Sequence, residues 1–334
     1  MTPPHSKAAS TAHSRGPLST KPFPVLESRR FLFITGKGGV GKTTVSGALA
    51  LAFAARGKRV LVVMPNIKER LSAILGTAPI HSEIVQAARN VWAVNMSPEI
   101  ALREYGQIVL KVKAVTHAVF ENKYTKSFFR AVPGLYEWAM LGKAWFHTTE
   151  TLDDGSPRFD VILFDAPATG HGLDMLRVPK VILDVVPPGV LRRDAELAWA
   201  LFQDPKRSGV VVVTLPEEMP TTETIELTTS IRKELGLPVL GMIVNGVLPS
   251  LFSPAERAAL LADPHLLDVG APARFAGTGD SALVAGARRS AREKVQAESL
   301  ERLGREINLP SIALPLLFDE ASTVEGTRIL ATKL

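Results

Sequence analysis

Nine residues constrain this chain more than any others. Gly36-Lys37-Gly38-Gly39-Val40-Gly41-Lys42-Thr43-Thr44 follow directly on the apolar run Phe31 to Thr35 and lead into a helical stretch, Thr44 to Arg56. A glycine loop between a buried strand and a helix lets backbone amides close around an anion, and the helix N-terminus adds the positive end of its dipole. The Lys-Thr pair directly after the last glycine suits a triphosphate and its cation. Lys42 reaches the β- and γ-phosphates as a point charge, Thr43 places its hydroxyl on Mg²⁺, and Thr44 bonds the α-phosphate. The same letters satisfy the dinucleotide pattern Gly-x-Gly-x-x-Gly at Gly36, Gly38 and Gly41. The Lys-Thr pair, and the lack of an acidic residue at the end of the next apolar run to hold a ribose diol, favour ATP with Mg²⁺ instead.

The rest of the chain repeats the same alternation. Short, almost wholly apolar runs recur at Arg59 to Met64, Val91 to Asn95, Phe159 to Phe164, Gly209 to Leu215, Val239 to Val244 and Ser311 to Leu314, separated by helical stretches. Runs without a polar face are strands buried on both sides, and alternating β and α units make a mostly parallel sheet. The expected fold is therefore α/β: a P-loop nucleoside-triphosphatase architecture, with a twisted sheet flanked by helices. Gly57 closes the first helix.

Two regions depart from this rhythm. Between Ser97 and Glu150 the strand pattern disappears, and Leu102, Tyr105, Val109, Val112, Val119, Phe120, Phe128, Phe129, Leu135, Trp138, Met140, Leu141, Trp145 and Phe146 fall at largely helical spacing. We read a helical insertion at about 97–150 in a P-loop domain spanning 29–334. Its apolar stripe serves either to bind a partner or to bury its own face against the domain. Gly279 to Ile307 interleaves Arg288, Arg289, Arg292, Lys294, Arg302 and Arg305 with Glu293, Glu298, Glu301 and Glu306, the pattern of a solvated surface helix.

Composition excludes several functions. The formal net charge of +6 looks like a nucleic-acid signature, but +4 of it lies in the first thirty residues, as Lys7, Arg15, Lys21, Arg29 and Arg30 against Glu27. Residues 1–28 are rich in Pro, Ser, Thr and Ala without periodicity and read as a disordered basic leader. The remainder is close to balanced, so no nucleic-acid partner is expected. Cysteine is absent, which removes disulfides, thiolate nucleophiles and thiolate metal sites. No apolar run approaches the ~18 residues needed to cross a bilayer, so no direct membrane insertion is expected. Arg29-Arg30 ahead of Phe31 to Ile34 faintly mimics an export signal, but the apolar stretch is short and runs into the glycine loop, and a cytoplasmic protein is expected.

Lys37 narrows the class. The form Gly-Lys-Gly-Gly-x-Gly-Lys-Thr resembles the deviant Walker A loop of the ArsA, MinD and ParA ATPases, and that resemblance implies that Lys37 points across a dimer interface to the partner's phosphates. Phe164-Asp165-Ala166-Pro167-Ala168-Thr169-Gly170-His171 resembles the second switch of the ArsA and tail-anchored-protein-targeting ATPases, which implies that Asp165 supports Mg²⁺ through water. His171 would be a structural residue of that switch. Val213-Thr214-Leu215-Pro216-Glu217-Glu218, with Glu223 beyond, resembles the family's nucleotide contact across the dimer, carried over by position to Glu217. Val244-Asn245-Gly246 resembles the adenine-reading asparagine, although Asn245 also suits a plain strand-end turn. Leu314-Pro315-Leu316-Leu317 resembles the segment packed on the adenine ring. The resemblance covers almost everything from Arg30 to Leu317, including Pro133-Gly134.

Three departures shape what the resemblance implies. The arsenite pump ATPase joins two such units in one chain, whereas this chain has a single phosphate loop, so a homodimer or a heterodimer with a paralogous ATPase is expected. Without cysteine there is neither a thiolate metalloid site nor a zinc clasp. Aligning Val60-Leu61-Val62-Val63-Met64-Pro65-Asn66 with the family's first switch places Asn66 where the class carries the aspartate that positions attacking water. An amide orients water but takes no proton, so hydrolysis slowed by ~100-fold or more is expected unless Glu69, beside Lys68 and Arg70, substitutes. The catalytic set is then Lys37, Lys42, Asn66 and Asp165. Three readings stay open: a dimeric switch ATPase that engages a protein client or membrane-protein partner, a hydrolysis-deficient ATP-binding subunit paired with an active paralogue, and a MinD-like or ParA-like positioning ATPase. The last needs a terminal membrane helix or basic DNA face, and Thr327 to Leu334 is short for one.

Overall fold

The computed structural model describes residues 23–110, 134–266, 278–318, 320 and 323–334. The expectations for residues 1–22, and for Val112, Val119, Phe120, Phe128, Phe129 and Pro133, lie outside them.

Eight strands form one sheet: β1 (Phe31–Thr35), β2 (Val60–Pro65), β3 (Val85–Ala88), β4 (Val91–Met96), β5 (Val161–Asp165), β6 (Ser208–Thr214), β7 (Val239–Val247) and β8 (Ser311–Pro315). Their order is β3-β4-β2-β5-β1-β6-β7-β8. All neighbours run parallel except β3, which lies antiparallel on β4 at the edge. The expected α/β architecture is thus present, with seven of the strands where the apolar runs place them. The eighth, β3, was not expected. It is four residues long, its first two residues are exposed, and it is joined to β4 by a tight turn in which Asn90 takes a left-handed φ of 59°. A half-solvated edge ribbon carries no long apolar signature.

The period of two divides each apolar strand between two cores. Phe31 and Phe33 face one side with Leu61, Val63, Ile162, Phe164, Val210 and Val212, whereas Leu32 and Ile34 face the other with Val60, Val62, Leu163, Val211 and Val213. Helix α1 (Lys42–Ala55) lies on the second face, with α2 (Leu71–Leu75) and the last helix of the chain (Val324–Ala331) packed around it. That position explains its composition. Val45 through Ala50 are all buried, and a Cβ at Gly47 would stand 3.1 Å from the Ile74 side chain and 3.3 Å from Leu71.

The first face is covered by α3 (Pro98–Leu110), α4 (Leu135–Phe146), α5 (Thr169–Val185), α6 (Val190–Gln203) and α7 (Glu218–Lys233). Phe202 of α6 closes an aromatic cluster with Phe31, Phe33 and Phe164, ring centroids 4.8 to 5.9 Å apart. The described parts of the 97–150 helical stretch belong to this layer: Leu102, Tyr105, Leu135, Trp138, Leu141 and Trp145 are buried in the same core as the strands. The Tyr105 hydroxyl donates to Asp194 of α6 at 2.9 Å.

Beyond α7 come α8 (Pro254–Leu261), α9 (Thr278–Ile307) and α10 (Val324–Ala331). Leu300, Leu303 and Ile307 of α9 pack on Met242 and Val244 of β7. Its Glu293 is buried, accepting from Arg289 Nε and from the backbone N–H of Leu251, both at 2.9 Å, and its carboxyl is held below the ordinary glutamate value by those donors against the opposing pull of burial. The core also reaches into the leader: Leu26 is buried, Phe23 packs on the α1 side of the sheet, and Glu27 pairs with Arg56 at 3.2 Å. Arg30 donates to the carbonyls of Phe159, Asp160 and Thr148 at 2.6 to 2.7 Å, tying the start of β1 to the approach to β5.

Candidate functional site

The sheet order puts β1 in the middle, with β5 on one side and β6 on the other. The glycine loop therefore leaves β1 between two strand ends, the position at which open α/β sheets take ligands. Gly36 has φ 154°, and a Cβ there would collide with the Val213 carbonyl of β6. Gly41, with φ 88°, caps α1, and a Cβ there would strike the Asn245 amide nitrogen. Both glycines are required by backbone geometry. Gly38 and Gly39 are exposed, while Val40 is buried in the α1 core and anchors the loop.

The Lys42 ammonium donates to the carbonyls of Gly36 at 3.1 Å and Lys37 at 2.9 Å. Burial lowers its pKa below the ordinary lysine value, with Asp165 pulling the other way. Because Ile34 pairs with Asp165 in register, the end of β5 stands beside the start of the loop. Asp165 is fully buried. It accepts from Thr43 Oγ1 at 2.6 Å through one oxygen and from Ser46 Oγ at 3.2 Å through the other. Burial pushes its carboxyl up to about 6, against the downward pull of Thr43, Lys42 and Ser46. A hydroxyl and a carboxylate are hard oxygen donors of the kind Mg²⁺ takes, and a buried carboxylate beside them gains most from a cation. The residues fit Mg²⁺.

The other expected positions divide. Thr44 is half-buried in the first turn of α1. Asn245 lies near the end of β7, where its amide nitrogen donates to the Val40 carbonyl at 3.0 Å, so it braces the phosphate loop. Leu316 is half-buried and its N–H donates to Val247 at 2.9 Å, while Leu316 and Leu215 flank Gly246. Pro315 ends β8. Glu217 is exposed at the N-cap of α7, and with Pro216, Gly246, Leu248, Arg292 and Val295 it lines a cleft of about 370 Å³ between β7 and α9. The Lys37 ammonium pairs with Glu223 of α7 at 2.6 Å. His171 lies in the first turn of α5.

Asn66 stands exposed just past β2 with a left-handed φ of 53°, a conformation asparagine tolerates better than most residues. The nearby Glu69 is already committed: its two oxygens accept from the Ser72 N–H at 2.8 Å and hydroxyl at 2.6 Å at the start of α2. Ser46 was not expected in the site. The signal was present, since it lies three residues after Thr43 and so on the same helical face. Among the described residues no group of three or more His, Cys, Asp or Glu side chains is arranged to hold a metal ion. None of their helices is long and apolar enough to cross a membrane.

Comparison with known proteins agrees with this arrangement. Residues 29–187 match the family described as anion-transporting ATPase. The ATPase BagA of Mycobacterium tuberculosis is 29% identical over 239 residues, covering 70% of this chain and 69% of its own length. An arsenical pump-driving ATPase of Escherichia coli is 29% identical over 237 residues, or 66% of this chain and 40% of that protein. The ATPase ASNA1 homolog 1 of Paramecium tetraurelia is 30% identical over 169 residues, 47% of this chain and 46% of its own. A lysine and threonine at the head of α1 and a buried aspartate at the end of β5, within the matched residues and beside these relatives, make residues 29–187 an ArsA-family P-loop ATPase unit.

Proposed function

We propose that the chain is a Mg²⁺-dependent switch that works as a dimer, in which bound ATP joins two protomers and its occupancy governs engagement of a protein client or membrane-protein partner. The observation that carries this reading is the convergence of Lys42, Thr43 and Asp165 at one mouth of the sheet while the ammonium of Lys37, on the same loop, is left outside that cluster and pairs with Glu223. In this mechanism Lys42 leaves the Gly36 and Lys37 carbonyls for the β- and γ-phosphates. Thr43 would offer its hydroxyl and Asp165 its carboxylate to hold Mg²⁺, whose charge would offset the buried negative charge of Asp165. Mg²⁺ supplies neutralisation of the charge shared by the β- and γ-phosphate oxygens. Lys37 crosses to the partner's phosphates, and Glu217 reaches the partner's nucleotide. Asn245 and the Pro315-Leu316 segment flank the base. The client would engage the helical layer of α3 and α4. The arsenical cargo named for some relatives is not carried over, because a chain without cysteine offers a metalloid no thiolate.

A second reading is favoured by one specific feature. Asn66 orients water without accepting its proton, and Glu69 is occupied at α2. A nearly inert ATP-holding subunit, paired with a paralogue that has the aspartate, follows from that. ATP turnover of the purified protein separates the two. Wild-type turnover abolished by Lys42→Ala supports the active switch, whereas turnover that appears only with Asn66→Asp or an added paralogue supports the inert subunit. Failure of the wild-type protein to bind ATP with Mg²⁺ would overturn both.

A further inference from the structure

Lys37 has two attachments in this protomer, and they lie on opposite ends of the residue. Its carbonyl accepts from Lys42 at 2.9 Å, and its ammonium lies 2.6 Å from Glu223 Oε1. Glu223 projects from α7, the helix that begins immediately after Glu217. Neither partner of the pair is deeply buried: the Lys37 side chain is 24% exposed and that of Glu223 33%. An ammonium held this closely by a carboxylate in its own chain is not available to a phosphate in another.

We propose that Glu223 is a positioning residue that parks Lys37 in the nucleotide-free protomer, so that dimer closure exchanges one anion for another, the Glu223 carboxylate for the partner's triphosphate. The inference rests on the dimeric reading above. It adds an order of events. ATP bound in the same protomer draws Lys42 off the Lys37 carbonyl, which frees the backbone of Lys37, and only then does the partner's phosphate compete for its ammonium. A triphosphate carries more charge than a carboxylate and wins that competition when a second protomer brings it close. A lone protomer keeps the lysine at home. A partly exposed ion pair holds weakly, so each latch is worth about two- to fivefold, and two latches open per dimer, giving about tenfold overall.

Two measurements on Glu223→Gln, which keeps the shape and removes the charge, test the exchange. Labelling of Lys37 by an amine-directed reagent, read by peptide mass spectrometry on the nucleotide-free protein, should speed up severalfold in the variant. Sedimentation with Mg²⁺ and a non-hydrolysable ATP analogue should give a dimer dissociation constant about tenfold lower than wild type. That gain should vanish in a Lys37→Ala background, and Glu223→Asp should fall between. Labelling unchanged by Glu223→Gln overturns the latch. Faster labelling with an unchanged or weaker dimer, while Lys37→Ala still weakens it, overturns the exchange and leaves the dimeric reading intact. A wild-type chain that stays monomeric, alone and mixed with a paralogous ATPase, while labelling still responds overturns the dimeric reading, and the exchange with it.

Discussion

Replacing Asp165 with asparagine should make the nucleotide-free protein more stable at neutral pH, although it removes the carboxylate proposed to hold Mg²⁺. Asp165 is fully buried, and burial raises its pKa from the ordinary aspartate value of 3.8 to about 6. The folded state therefore holds this proton more tightly than the unfolded chain does. The stability the group contributes is fully present below about pH 4 and is lost as the pH rises through about 6, above which a buried ionised carboxylate weighs against folding. The gap between the two values corresponds to about 3 kcal/mol. Asparagine carries no charge at any of these pH values. Its carbonyl accepts the Thr43 hydroxyl, and its amide donates to Ser46 Oγ, so neither polar neighbour is stranded. Asp165→Asn should thus gain about 1–3 kcal/mol at pH 8, a rise in Tm of about 2–5 °C for a chain of this size. The gain should shrink to below about 1 kcal/mol at pH 4.5. Thermal unfolding followed by circular dichroism, without nucleotide and with a chelator present, measures both. A variant no more stable than wild type at pH 8, or a gap that does not close on acidification, would refute the reasoning.

Further predictions test the frame around that carboxylate. Gly36→Ala drives a Cβ into the Val213 carbonyl and should abolish ATP binding by equilibrium titration while costing about 2–4 kcal/mol in urea unfolding. Ser46→Ala strips one of the two hydroxyls from Asp165 and should raise the Mg²⁺ concentration needed for nucleotide binding about three- to tenfold, with little change in binding without metal. Trp138→Ala empties the centre of the α3–α4 layer, where Trp138 is fully buried, and should lower unfolding stability by about 3–5 kcal/mol.

The elements that build the candidate site were legible because each carries a local signal. The β1 run, the loop glycines and the Lys-Thr pair are contiguous in sequence, and the apolar strand ending at Asp165 is one uninterrupted run of its own, although its meeting with Thr43 spans 122 positions. What stayed hidden depends on long-range packing. Asn245 suits adenine or a turn on sequence, yet its amide nitrogen is spent on Val40, a residue 205 positions away. Lys37 reads as an outward lysine, and its pairing with Glu223 joins residues 186 apart through the docking of α7 beside the loop. Glu69 resembles a free carboxylate until the start of α2 is seen to occupy both oxygens. The short strand β3 escaped because its four residues, the first two of them exposed, bury too little apolar surface to mark a strand.

The reading as a whole turns on whether ATP joins two protomers through Lys37, and sedimentation velocity on the purified chain tests that directly. With Mg²⁺ and a non-hydrolysable ATP analogue, the wild-type protein, alone or mixed with a paralogous ATPase, should sediment as a dimer, and Lys37→Ala should remain a monomer while still binding the analogue. A wild-type chain that stays monomeric in both mixtures, or a Lys37→Ala variant that dimerises as readily as wild type, would contradict it.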